Sequence, residues 1–521
     1  MQTFNYIVFK QTTMKNEDFL YQARDYKSIK IWENISEEKW NDSTWQRQNS
    51  IRTIEELKQV IELSQHQENE IQRTISVLKS EGKDPLRITP YYASLMDANP
   101  FRPTSLFRSQ TKRIDPVFWQ SVPTPANLLF QNAGREGSMN EGDRSFGAAY
   151  QRYPNRIALL VASNTSCASY CVHCQRAKSM DGTISVNTEE INKGLFYIQY
   201  NENINEVLVS GGDPLMIHLK QLQYILEELS KIPHLRVIRI ATRVPVVLPM
   251  GVTDELMTLI KNSIRKHTNG IEKHVYFMTH VNHFKEITPN FAKAVRKIQD
   301  YGFSIRNQTV FLNHVNDNFR ILAETFRRLF WVGVHPYYLL QCHKEKGILH
   351  FIAPIQVGKI YMKHMQGWLS GITVPKYAVN VEGGGGKVLL MPSGHDTLNL
   401  KTNIEAEVSE SSADINTWDH KKIFKYEALG RATKEEYEEA LKIMDKFLGQ
   451  KNVFLPKLII IDQHGKHVET TNRTNLPYFE KAKKAKLLNY NLRDDMPITN
   501  PLDIIDELNE AYQNSDYKKQ E

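Results

Sequence analysis

From residue 156 onward the chain alternates between two textures. Short apolar runs stand at "RIALLVAS" (156–163), "EVLVSGG" (206–212), "RVIRIAT" (236–242), "HVYFMTH" (274–280), "SIRNQTVFL" (304–312) and "HPYYLLQ" (335–341). Between them lie helix-length segments such as "HLKQLQYILEELSKI" and "TPNFAKAVRKIQDYG", with apolar residues at helical intervals. Strand-like runs alternating with helical patterns predict parallel βα units. Upstream, residues 36–82 read as mainly helical. Asn34 or Ser36 is placed to cap a helix that Glu37 and Glu38 would open, and "IRTIEELKQVIELSQ" continues the helical spacing. Residues 132–148 are Gly-rich and polar, which predicts a surface loop. Past residue 400, "RATKEEYEEALKIMDKFLG" predicts a helix with Thr433 and Glu436 as its cap signal and Gly449 as its stop. "KLIIIDQHGKHVET" predicts a hairpin turning at His464-Gly465.

Polar residues gather where these strands end. A cysteine cluster follows the first strand, "SGGD" (Ser210 to Asp213) ends the second, and Arg243 follows the third. His280 ends the fourth, Asn307 and Gln308 lie in the fifth, and Cys342-His343 follow the sixth. The C-terminal ends of barrel strands form an active-site face, and these residues map to that one rim. The expectation is an α/β chain: a mainly helical region at 1–150, a partial (β/α)6 barrel at 151–400 and an α+β extension at 401–521. An open dinucleotide-binding sheet would carry an early G-x-G-x-x-G turn, and none is present.

The bulk composition narrows the class. The net charge of +7 is modest over 521 residues, and Lys and Arg are interleaved with Glu and Asp, so no nucleic-acid footprint is expected. No apolar run approaches the roughly 20 residues of a membrane span. The first residues lack a charged segment followed by an apolar one and a cleavage site, so a cytoplasmic, reducing location is expected. In that setting clustered cysteines bind metal or do chemistry more often than they pair. Three of the four cysteines fall in "SCASYCVHCQR" (166–176), at C-x3-C-x2-C spacing. Three thiolates suit a [4Fe–4S] cluster with one iron left open. A closed zinc site would need a fourth ligand, for which Cys342 or His173 is available.

The ordered motifs narrow the reading further. C-x3-C-x2-C after a first barrel strand, with "SGGDP" after the second, resembles the radical S-adenosylmethionine (SAM) superfamily. "RYPNRIALLVASNTSCASYCVHCQR", "ATRVPVVLP", "THVNH", "NQTVFLNHVND", "HPYYLLQC", "VNVEGGGGK" and the upstream "WNDSTWQRQNSIRTIEEL" and "TPYYASLMD" together resemble the lysine 2,3-aminomutase family, from about residue 40 to about 400. The resemblance implies a barrel of radical SAM type, with Cys167, Cys171 and Cys174 as cluster ligands. It implies that Ser210, Gly211, Gly212 and Asp213 meet the methionyl end of SAM, with His280 and Gln308 nearby. Lys387, after four glycines, matches the lysine that binds pyridoxal 5′-phosphate (PLP), and Arg152, Tyr153 and Arg156 match the segment near its phosphate. Read alone, the glycines suit a flexible loop or a close approach of backbone to a ligand. The implied reaction moves an amino group from Cα to Cβ, with a flavodoxin- or ferredoxin-like protein as electron donor.

The matched substrate positions depart from the lysine enzymes. Arg176 matches the arginine that holds the substrate α-carboxylate. Where the lysine enzymes hold the distal ammonium with two aspartates, this chain has His343 and Asn380. Glutamate 2,3-aminomutases carry a cationic lysine and an asparagine there. Here the cation would be His343, or Lys344 after a small shift. A buried ammonium needs negative partners, so an acidic or neutral polar substrate such as glutamate is expected. Lysine, or another radical SAM reaction on an amino acid, is the alternative. A non-enzymatic metal-binding protein would have no use for Lys387, Arg176 and "SGGD". No cysteine follows Cys342, so any homo-oligomer is expected to form without the zinc site of the lysine enzymes.

Overall fold

The computed structural model describes residues 19–82, 84–102, 114–134, 145–174, 186–265, 273–381, 386–390, 412–416, 423–427, 429–451, 453–454, 456–471, 505–515 and 518. Its centre is a ten-stranded sheet in sequence order. The strands are β1 (Ser145–Phe146), β2 (Ala149–Tyr153), β3 (Arg156–Ala162), β4 (Glu206–Gly211), β5 (Val237–Ala241), β6 (His274–Thr279), β7 (Ser304–Phe311), β8 (His335–Gln341), β9 (Lys376–Val381) and β10 (Gly386–Leu389). From β3 to β9 each strand pairs with the next in parallel. Helices Thr188–Tyr200, Leu219–Lys231, Asp254–Arg265, Pro289–Asp300, Phe319–Trp331 and Ile355–Trp368 make the crossovers. Each parallel connection needs such a return of the chain.

The apolar pattern explains the layers. Val207, Val209, Ile238 and Ile240 are wholly buried at alternate strand positions, and Leu222, Ile225, Leu226 and Leu229 bury one face of a crossover helix. At about 25 cal/mol per Å² of apolar surface, each such side chain stabilises the fold by about 1.5–3 kcal/mol. Helix starts are capped as their residues require. Asn187 accepts from the Glu190 N–H, and Thr288 accepts from the Phe291 N–H with Pro289 opening the helix.

The six expected strands are β3 to β8, but the sheet extends beyond them. A seventh parallel strand, β9, lies in "KYAVNV", and antiparallel β2 and β10 flank the parallel run. The expected loop at 132–148 ends in strand β1, while 135–144 lie outside the described residues. The edge strand β10 also reaches β2 at the far side of the sheet. The Lys387 backbone N–H on β10 donates to the Tyr153 phenol oxygen on β2 at 2.6 Å, so the open sheet curls round on itself.

The N-terminal helices run at Glu37–Trp40, Ser43–Gln48, Ile54–Leu57 and Gln65–Ser80, with Ser36 as the first cap. In the C-terminal part, helix Lys434–Leu448 has the expected capping box between Thr433 and Glu436 and ends at Gly449 with φ of 64°. Strands Leu458–Ile461 and His467–Thr470 pair antiparallel around Gly465. The Lys434–Leu448 helix packs on the N-terminal region, where Gln67 Nε2 donates to the Phe447 carbonyl at 3.0 Å. A single hydrophobic core thus runs from Ile29 to Tyr512. Among the described residues no helix is long and apolar enough to cross a membrane.

Candidate active site

The loop after β3 carries Cys167, Cys171 and Cys174, all free and half-buried. It is held from outside the barrel. Arg87 donates to the carbonyls of Thr165 (2.5 Å) and Cys167 (3.3 Å), and Thr89 N–H donates to Ser169 Oγ at 3.0 Å. Tyr170 N–H and Val172 N–H donate to the carbonyls of Arg87 and Gln120. The N-terminal region therefore shapes the cysteine loop.

All three cysteines line one cavity of about 510 Å³, together with Ser210, Gly211, Gly212, Asp213, Arg243, His280 and Gln308. The nine positions expected to hold the cluster or SAM thus share one space: the three cysteines, Ser210, Gly211, Gly212, Asp213, His280 and Gln308. At the end of β4 the backbone must approach its neighbour closely. Gly211 has φ of 115°, and a Cβ there would stand 2.3 Å from the Ala162 carbonyl oxygen. Only glycine suits that conformation.

Asp213, which lines the same cavity, also ties two strand ends together. Its Oδ1 accepts from Thr242 Oγ1 (2.8 Å) and Leu215 N–H (3.1 Å), and its Oδ2 accepts from Arg243 N–H at 2.7 Å. Burial raises its pKa, and these donors oppose that rise. The carboxylate ties the end of β4 to the end of β5 and so holds the Gly-Gly turn in place. In β7, Asn307 faces the core and bridges to Val281, accepting its N–H at 2.7 Å and donating to its carbonyl at 3.0 Å. Gln308, the next residue, faces the cavity instead.

Arg243, Glu286 and Tyr92 form a buried network that motif reading had not assigned. Arg243 Nη1 donates to Cys171 Sγ at 2.7 Å, and Nη2 donates to Glu286 Oε1 and Tyr92 Oη, both at 2.6 Å. Tyr92 Oη donates to Glu286 Oε1 at 2.7 Å. Burial pushes the Cys171 thiol up, and Arg243 opposes the rise. Only the strand-end position of Arg243 and the "TPYYASLMD" motif hinted at this set.

Among the described residues, Cys171, His173 and His280 bring ligand atoms within 4.8 Å of one another. Both imidazoles, however, contact Asn282: His280 Nε2 at 3.0 Å from Oδ1 and His173 Nε2 at 3.3 Å from Nδ2. Burial, then the Arg243 charge, pushes His280 down to about 3, so it is a neutral side chain. Cys342 is buried, its thiol 3.7 Å from the His343 carbonyl, and it does not line the cavity. It is no fourth ligand to the cysteine loop. The three thiols with an open space before them therefore fit a cluster with one exposed iron better than closed zinc.

The second group of expected residues surrounds β8 to β10. Lys387 stands directly opposite Asn380 in the β9–β10 pair, so both side chains share a face. Asn380 Nδ2 is 3.3 Å from His343 Nε2. Lys387 Nζ lies 5.9 Å from the centre of the Tyr338 ring, and the Arg156 guanidinium stacks 4.0 Å from that of Tyr153. Burial raises the pKa of the Tyr338 phenol, Tyr337 adds to the rise, and the Arg156 charge opposes it. Leu340, two residues along β8 from Tyr338, lines the cavity, so alternation along the strand joins the two groups. Arg152 stands apart, its Nε donating to Tyr150 Oη at 2.8 Å. Arg176 and the residues 382–385 lie outside the described residues.

No protein-family model matches the chain. Curated relatives do. L-lysine 2,3-aminomutase of Methanococcus maripaludis is 37% identical over 369 residues, covering 70% of this chain and 78% of that protein. The L-lysine 2,3-aminomutase of Clostridium subterminale is 34% identical over 393 residues, 74% of this chain and 87% of that one. Glutamate 2,3-aminomutase of Clostridioides difficile is 32% identical over 375 residues, 71% of this chain and 82% of that one. Among solved structures, Streptococcus suis SuiB has a TM-score of 0.32 at 9% identity, over 44% of this chain and 50% of that one, a likeness too distant to bear on function. With such identity spread over most of each relative's length, the chain belongs to the lysine 2,3-aminomutase family of isomerases.

Proposed function

We propose that this isomerase is a radical SAM, PLP-dependent 2,3-aminomutase whose substrate is an amino acid with an acidic or neutral polar side chain, such as glutamate. The observation that carries the substrate reading is the contact between His343 and Asn380, 3.3 Å apart and facing the same side as Lys387. An imidazole and an amide bring no full negative charge to a buried ammonium. They do offer N–H donors to a carboxylate or amide, and the imidazole can carry a positive charge in the neutral range.

The residues present fit the cofactors. Cys167, Cys171 and Cys174 would hold the cluster, and the cavity bounded by the Gly211 turn leaves room for SAM beside it. Lys387 would hold PLP, with Tyr153 and Arg156 beside it; a guanidinium is well formed to bind phosphate. When bound, the cluster and SAM supply a hydrogen-abstracting radical, and PLP supplies the carbon that carries nitrogen between Cα and Cβ. The chain's own work is orientation and exclusion. Met278, Val310 and Leu340 give the cavity apolar walls that keep out water. Gln308 and His280 offer polar atoms on the SAM side, and Arg176 is assigned to the substrate α-carboxylate. A flavodoxin- or ferredoxin-like protein is the proposed electron donor, and any homo-oligomer forms without a C-terminal zinc site.

One observation favours a second reading. Asn380 Oδ1 is buried with no hydrogen-bond partner, which leaves an acceptor open to the ammonium of lysine. Product analysis separates the two. Reconstituted enzyme given equimolar glutamate, glutamine, aspartate, alanine and lysine should convert an acidic or amide substrate fastest. If β-lysine forms fastest, the pocket reading is wrong and the second one stands.

A further inference from the structure

We infer that Arg243, with Glu286 as its counter-charge, sets the reduction potential of the iron–sulfur cluster through a hydrogen bond to the Cys171 sulfur. The inference rests on the reading of Cys167, Cys171 and Cys174 as cluster ligands. Arg243 Nη1 donates to Cys171 Sγ at 2.7 Å. Its remaining donors are fixed: Nη2 on Glu286 and Tyr92, and Nε on the His280 carbonyl at 3.3 Å. Glu286 is fully buried and its Oε2 accepts the N–H groups of Asn282 (2.7 Å) and His283 (2.9 Å). Neither partner can turn away without leaving a buried charge unpaired, so the guanidinium is held on the sulfur.

Such a donor favours the reduced state. One-electron reduction, by a low-potential donor of flavodoxin or ferredoxin type, adds one negative charge to the cluster. Hydrogen bonds and positive charge at the ligand sulfurs stabilise that charge and raise the potential. Glu286 offsets part of the guanidinium charge and so holds the potential below the value Arg243 alone would give. Arg243 is thus a positioning and tuning residue, and Cys171 is set apart electrically from Cys167 and Cys174.

The test is a redox titration of the anaerobically reconstituted full chain with dithionite, without SAM, followed by electron paramagnetic resonance. Arg243→Gln should shift the midpoint to more negative potential, and Glu286→Gln should shift it to more positive potential. A purely packing role would not produce shifts of opposite sign. Should Arg243→Gln fail to fold, Glu286→Gln, which removes the counter-charge, tests the inference alone by its positive shift. Variants with full iron content and the wild-type midpoint, or a shift opposite in sign to the one expected for that variant, overturn the inference. A wild-type chain that takes up no iron or sulfide sinks it together with the reading beneath it.

Discussion

Cys342 and Cys171 show how much a side chain's surroundings decide its chemistry. Both are thiols at the end of a barrel strand or just beyond, yet one is sealed against a carbonyl and the other faces a cavity beside a guanidinium. Alanine at 167, 171 or 174 should therefore reduce the bound iron of reconstituted protein from about four per chain to near none. Cys342→Ala should leave the iron content unchanged, and colorimetric iron analysis distinguishes the two. A cluster lost only with Cys342→Ala would sink the assignment. The substrate end of the site allows a similar test. His343→Asp with Asn380→Asp would place two carboxylates where imidazole and amide now touch, and should move preference toward lysine. Competition between glutamate and lysine, read from the β-amino acid products, checks the shift.

At the scale of elements, caps and turns carry separate roles. Thr433→Ala removes the hydroxyl that accepts the Glu436 N–H and should lower stability by about 1 kcal/mol, measured by urea unfolding, without touching the cavity. Gly211→Ala should cost about 1–3 kcal/mol from its backbone conformation alone, and the clash with Ala162 should distort the SAM side of the cavity. SAM binding by calorimetry should fall for Gly211→Ala and hold for Thr433→Ala. These two elements were legible beforehand, because T-x-x-E and Gly-Gly after a strand have local causes. The six strands β3 to β8 were legible for the same reason, each being a short apolar run between helical patterns. Strand β9 was not, because "KYAVNV" is a short run broken by the polar Asn380, and its pairing with β8 and β10 is what makes it a strand. The Arg243–Glu286–Tyr92 set lies beyond pattern reading in another way. Its members come from segments up to 194 residues apart, and only the fold brings them into contact. Asp213, expected from its motif at the SAM end, lines the cavity, and its bonds to Thr242 and the Arg243 N–H just past β5 are visible only in the fold.

At the scale of the whole molecule, a side chain closes the sheet, with no closing ladder of backbone bonds among the described residues. Tyr153→Phe removes the acceptor for the Lys387 N–H, and should cost about 1 kcal/mol of stability. Hydrogen exchange would show the change where it occurs, with the Lys387 amide exchanging faster while those of β5 and β6 keep their protection. Equal exchange at Lys387 in both proteins would deny the contact its role. The contact also has a consequence for folding. Its partners are 234 residues apart, and the ring they close is the parallel sheet itself. Joining them requires the intervening strands to be in register first, because loop closure at such separation is entropically unfavourable until the sheet narrows the gap. Lys387 therefore reaches its place only when the rest of the barrel is built. In pulse-labelled refolding its amide should gain protection after those of β4 to β6, so that the lysine assigned to the cofactor arrives as the last stave of the barrel.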